Sequence, residues 1–141
     1  MPHQRHRPHN VRDQHAERNI QSDMCSAVVS GERIFLRGQV GYTLHATERK
    51  LVGRGDPAAQ ADQAMKNVRQ LLGEVGAKME DICKVKLWVT DRAYLEPVMN
   101  VLGRHLRGIH PVYSEVIVDG LARSEMLVEV DVEVVRVARS S

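Results

Sequence analysis

The stretch Val128-Glu129-Val130-Asp131-Val132-Glu133-Val134 alternates valine and carboxylate without a break. A side-chain period of two marks a strand with one face buried and the other open. Successive carboxylates cannot lie unpaired under a second apolar layer, so a sheet built on this segment takes its cover from one side. The same alternation runs through Ile82 to Thr90, where Val85, Leu87 and Val89 oppose Lys84, Lys86 and Trp88.

Two segments supply that cover. Asp56-Pro57 pairs an N-cap carboxylate with proline at the first helical position. Ala61, Ala64, Met65, Val68, Leu71, Leu72 and Val75 follow at helical spacing, and Gly76 is the stop. A second helix is predicted from about Ala93 to Leu106, with Tyr94, Val98, Val101, Leu102 and Leu106 on its apolar side and Pro97 in its first turn. Cys25 to Val29 and Ile34 to Leu36, joined by Gly31-Glu32, read as a hairpin. Glu115 to Val118 reads as a short strand and Met126 to Val137 as a long one. The expected order is β-β-α-β-α-β-β, an α+β domain with two helices on one face of a mixed sheet. The other face carries Arg37, Lys84, Lys86, Trp88, Glu129, Asp131 and Glu133. It is either a solvated face with cross-strand ion pairs or a subunit interface.

Residues 1–20 differ in kind. His3, His6, His9 and His15 alternate with Arg5, Arg7, Arg12 and Arg18 among almost nothing apolar, so a solvated arm is expected there. The domain is expected over 21–138, with a tail at 139–141. The three-residue histidine steps form no preformed metal site, and no metal or cofactor is expected. A net charge of +2 on 141 residues and 4% aromatics give little basis for nucleic-acid binding. Cys25 and Cys83 have neither metal nor disulfide spacing. No apolar run is long enough to span a bilayer and no signal peptide opens the chain, so a cytoplasmic location is expected. No P-loop, dinucleotide fingerprint, HExxH or GxSxG occurs.

One set of short motifs is distinctive by its order. Phe35-Leu36-Arg37-Gly38-Gln39 is followed by Asp56-x-x-x-Gln60 with Asn67 and Gly76, then Asp81-Ile82-x-Lys84, Asp91, Pro111-x-x-Ser114 and Val128-Glu129-Val130-Asp131. From Asn19 to Ala138 the chain resembles the Rid family, also called YjgF-like or endoribonuclease L-PSP. The resemblance implies a chorismate-mutase-like fold and a homotrimer with ligand clefts between subunits. It also implies hydrolysis of reactive 2-imino or enamino acids to keto acids and ammonia.

Against that pattern, Tyr113 stands where deaminating members carry the arginine that grips the substrate carboxylate. A phenol in place of a guanidinium forfeits about 1.5–3 kcal/mol of charge-assisted binding. Glu115 replaces the family's usual cysteine. The family's water-orienting glutamate is matched by Glu129, the expected general base, and alternation puts it on the open face. Arg37 occupies a position where a small hydroxyl residue is common. Either it supplies the carboxylate-binding cation from a different strand, or it pairs with Glu115 or Glu129 and holds subunits together. Tyr113 is then a hydrogen-bond donor to substrate or water, and Ser114, Glu115, Met24 and Met99 line the pocket. Three functions stay open: an imine or enamine hydrolase, a non-catalytic trimer binding a small carboxylate metabolite, and, with least support, an endoribonuclease.

Overall fold

The computed structural model describes residues 3–6, 24–44 and 49–137. Its strands are β1 (Gln4–His6), β2 (Ala27–Ser30), β3 (Arg33–Leu36), β4 (Ile82–Val89), β5 (Val112–Ile117) and β6 (Val128–Val135). The helices are α1 (Pro57–Glu74), between β3 and β4, and α2 (Leu95–His105), between β4 and β5. The sheet order is β1-β2-β3-β6-β4-β5. Every neighbouring pair is antiparallel except β4 and β5, which run parallel. Since β3 and β4 both run against β6, they are parallel to each other, and each helix is the crossover of a βαβ unit.

The helices begin and end as their sequences dictate. Asp56 Oδ1 accepts from the Ala59 N–H at 3.1 Å, with Pro57 opening α1. Gly76 takes φ +76°, a left-handed conformation that ends the helix. The second helix starts later than its apolar spacing predicts. Asp91 caps a single 3-10 turn at Arg92–Tyr94, and α-helical geometry begins only at Leu95. Strand β5 begins three residues earlier than predicted, because parallel pairing with β4 starts at Lys84 opposite Val112.

A further difference lies in the N-terminal segment. Gln4–His6, expected to belong to a solvated arm, pairs antiparallel with β2 as an edge strand. Backbone groups left open along the β2 edge need no apolar partner side chain, so a polar segment can satisfy them. His6 Nε2 also lies 2.9 Å from Glu74 Oε1 at the end of α1. Apart from exposed His3, the rest of the predicted arm and the 139–141 tail lie outside the described residues.

The core lies between the sheet and the two helices. Val128, Val130, Val132 and Val134 from β6, with Val85, Leu87 and Val89 from β4, meet Ala61, Ala64, Met65, Val68, Val98, Val101 and Leu102. A bulge at Cys83 lets both Ile82 and Val85 face this layer, although they are three residues apart.

Two buried amides attach the irregular segments to α1. Gln60 donates through Nε2 to the Gly53 and Glu125 carbonyls, at 3.1 and 3.0 Å, and accepts from the Leu127 N–H at 2.9 Å. Asn67 donates to the Val40 and Tyr42 carbonyls. Gly41 is obligatory beside them, since a Cβ there would come within 2.8 Å of Gln60 Cγ. Replacing Gln60 by Leu leaves those backbone groups without their partner. A loss of about 2–4 kcal/mol of stability is expected, read from the urea midpoint.

Candidate functional site

The site is built where β3 leaves the sheet. Phe35 faces Glu133, but the next paired position is Gln39 opposite Val130, so four residue steps on one side oppose three on the other. This bulge re-aims the segment, and Gln39 holds it. Its side chain donates to the Arg37 carbonyl at 2.9 Å, while its backbone exchanges two hydrogen bonds with Val130. Arg37 N–H donates to the Ser26 carbonyl, which places Met24 and β2 at the same end of the sheet.

Glu129 and Asp131 lie over the bulge. A Cβ added to Gly38 would sit 2.7 Å from Glu129 Oε2 and 2.6 Å from Asp131 Oδ1. A side chain at position 38 would require one or both carboxylates to shift. Asp131 Oδ2 accepts a hydrogen bond from Trp88 Nε1 at 3.1 Å, across paired strands. Lys86 Nζ lies 4.3 Å from the centroid of the same indole, a cation–π contact.

The Glu129 carboxyl is raised above its ordinary pKa. Half-burial is the largest cause, the Asp131 charge adds to it, and Arg37 opposes both. Arg37 therefore lies within electrostatic reach of Glu129, but it makes no ion pair within 4 Å among the described residues. Neither an Arg37–Glu129 nor an Arg37–Glu115 ion pair, one of the two roles open to Arg37, forms within the chain. The guanidinium is left exposed and uncommitted.

The remaining expected site residues are not all brought here. Pairing sets Ser114 beside Lys86 on the open face, whereas Tyr113 lies beside Val85 and Glu115 beside Leu87. Alternation thus directs Tyr113 and Glu115 to the helix side of the sheet. Both are exposed there, because β5 is the edge strand and the helices do not cover it. Tyr113 also lies three positions along β4 from the Glu129 level, about 10 Å away. Met99 is packed against the core from α2, which takes it out of the open face, while Met24 is exposed. Asp131, Trp88 and Gly38 complete the site and were not among the expected site residues. Alternation identified the first two as open-face residues, but not as partners 43 residues apart.

At the other end of the open face, a groove of about 280 Å³ runs between Arg33, Phe35, Lys84, Val112 and Glu133. It includes neither Glu129 nor Arg37. Among the described residues, no group of three or more His, Cys, Asp or Glu is arranged to hold a metal, and no helix is long and apolar enough to cross a membrane.

The family model for endoribonuclease L-PSP matches residues 20–136. Protein DfrA of Myxococcus xanthus is 31% identical over 104 residues, covering 74% of this chain and 76% of that protein. A 2-iminobutanoate/2-iminopropanoate deaminase of Dermatophagoides farinae is 26% identical over 107 residues, covering 76% of this chain and 79% of its own. The crystal structure of a YjgF-family protein from Mycobacterium tuberculosis superposes with a TM-score of 0.76. It covers 95% of this chain and 99% of its own, at 24% identity, and so shares the chorismate-mutase-like fold.

The raised Glu129 carboxyl has a consequence for stability. The folded chain holds this proton more tightly than the unfolded chain does. The stabilisation is therefore complete below the ordinary carboxylate range and is lost as pH rises through the folded-state value. Glu129→Gln removes the penalty of ionising the group. Thermal unfolding is expected to show the variant more stable than wild type at pH 7, with the difference vanishing in acid.

Proposed function

Because this chain belongs to the endoribonuclease L-PSP family, also called the Rid or YjgF-like family, we propose that it hydrolyses a small reactive imine or enamine to a carbonyl compound and ammonia. The observation that carries this reading is the half-buried Glu129, with its raised proton affinity, near an uncommitted Arg37. A carboxyl whose hold on its proton is raised suits a reaction in which one group must both give and take a proton.

The chemistry balances on that single group. Protonated Glu129 gives its proton to the imine nitrogen and turns the carbon electrophilic. Water then adds to that carbon, and its proton passes to the Glu129 carboxylate, leaving a carbinolamine. Glu129 protonates the amine, the C–N bond breaks, and ammonia leaves. The hydroxyl proton returns to Glu129 as the carbonyl forms, so the enzyme ends as it began. Arg37 binds the substrate carboxylate by a charge-assisted hydrogen bond and holds the imine carbon near Glu129.

In this reading the chain assembles with copies of itself over the open face. Phe35, Val112 and Val135 are 50, 66 and 42% exposed, and pairing places all three on the open face. Apolar surface of that kind favours subunits meeting over this face. In a homotrimer, the edge strand of a neighbouring subunit brings its Tyr113, Ser114 and Glu115 to the cleft, where the phenol donates to substrate or water. One observation favours a second reading, a trimer that binds a small carboxylate without turnover: by resemblance, Tyr113 stands where deaminating members carry the gripping arginine and Glu115 where they carry a cysteine.

Incubation with 2-imino acids generated in situ by an amino-acid oxidase separates the readings. Keto-acid formation faster than in buffer is expected. Arg37→Ala is expected to lower kcat/KM by about tenfold to a hundredfold, with the trimer intact by light scattering. A rate equal to buffer, with a carboxylate nevertheless retained, would establish the binding module instead.

A further inference from the structure

Glu129 and Asp131 approach the same point above Gly38, yet their surroundings differ. Asp131 accepts the Trp88 indole N–H at 3.1 Å, which fixes the orientation of its carboxylate. Glu129 accepts no hydrogen bond among the described residues. Lys86, opposite Asp131 in the ladder, could discharge it by an ion pair. Its ammonium instead lies on the indole face, 4.3 Å from the ring centroid, and makes no ion pair with Asp131 within 4 Å.

We infer that Asp131, held by the Trp88 N–H over Gly38, is a positioning residue for Glu129: its carboxylate sets the surroundings in which Glu129 gives and takes the proton. This rests on the reading of Glu129 as the acid–base group, and it names the device that prepares that group. Two carboxylates crowded over a glycine cannot both ionise without repulsion. The indole fixes Asp131 where its charge adds to the burial that already disfavours ionised Glu129. The charged groups facing Glu129 are Asp131 on its own strand and Arg37 from the β3 bulge. Arg37 opposes the effect, and a substrate carboxylate that neutralises Arg37 would strengthen it. Proton affinity at Glu129 therefore rises as substrate arrives, when a proton must be given to the imine nitrogen.

Carboxyl-carbon NMR titration of the full chain tests this without any need for turnover. The Glu129 resonance is assigned by its loss in Glu129→Gln. In Asp131→Asn, the Glu129 midpoint is expected to fall. In Trp88→Phe, which keeps a ring but removes the donor, the Glu129 midpoint is expected to fall. If either variant fails to fold, the other decides. A Glu129 midpoint unmoved in a folded variant would overturn the inference. Turnover adds a separate readout. Asp131→Asn is expected to move the alkaline limb of the kcat/KM profile to lower pH, and Asp131→Glu to move it back. A uniform loss at every pH would mean a merely structural role and would also overturn the inference. If the wild type turns over no imine, the proposed hydrolase fails, while the titrations still decide where the proton resides.

Discussion

Strand β6 is hydrogen-bonded to β3 on one side and β4 on the other, and its pleat sends four valines to the helices and Glu129, Asp131 and Glu133 to the open face. One backbone thus carries the centre of the core and the centre of the site. The valines fix the register, because a slip of one residue would bury the acids and expose the valines. Whatever holds the core in register therefore also holds the carboxylates, and the site inherits its rigidity from apolar packing that never touches a ligand.

On that frame, the local irregularities do the aiming. The bulge between Phe35 and Gln39 brings Gly38 beneath the two acids and leaves Arg37 near Glu129. The bulge at Cys83 keeps both Ile82 and Val85 on the core face, and beyond it the unbroken β4–β6 ladder brings Trp88 within reach of Asp131. Gln60 and Asn67 secure the connector and the segment before β6 to α1. Asp81 accepts from the backbone of Lys78 and Val137, joining the approach to β4 with the exit from β6. These residues carry much of the family likeness, and each has a structural task here. The likeness therefore speaks first for the fold, and the chemistry rests on the fewer residues of the open face.

In the proposed reaction the cation is Arg37, whereas the resemblance implies an arginine at the position of Tyr113. A phenol does not replace a guanidinium, and within the chain Tyr113 projects to the opposite side of the sheet from Glu129. Arg37 lies near the acid and has no ion-pair partner within 4 Å among the described residues, which suits a group that must accept a ligand. Its distance from a full ion pair with Glu129 has a second effect. The carboxyl retains a raised proton affinity that a tight arginine contact would have cancelled.

The amino-acid sequence alone determined the fold class, the one-sided cover of the sheet, the span of α1 and the faces of β4 and β6. Each rests on a periodicity or a cap that acts within a few residues. It also placed Glu129 and Arg37 on the open face and singled out Tyr113 as a departure. The tertiary structure decided the rest. The pairing of Gln4–His6 with β2 needed a strand edge that exists only after folding. The Trp88–Asp131 hydrogen bond and the approach of both acids to Gly38 join residues distant in sequence. The separation of Tyr113 and Met99 from Glu129 depends on which edge β5 occupies and which side α2 covers. Local chemistry writes periods and caps into the chain, but which open-face groups meet is set by strand order and bulges, and no short stretch of sequence records those.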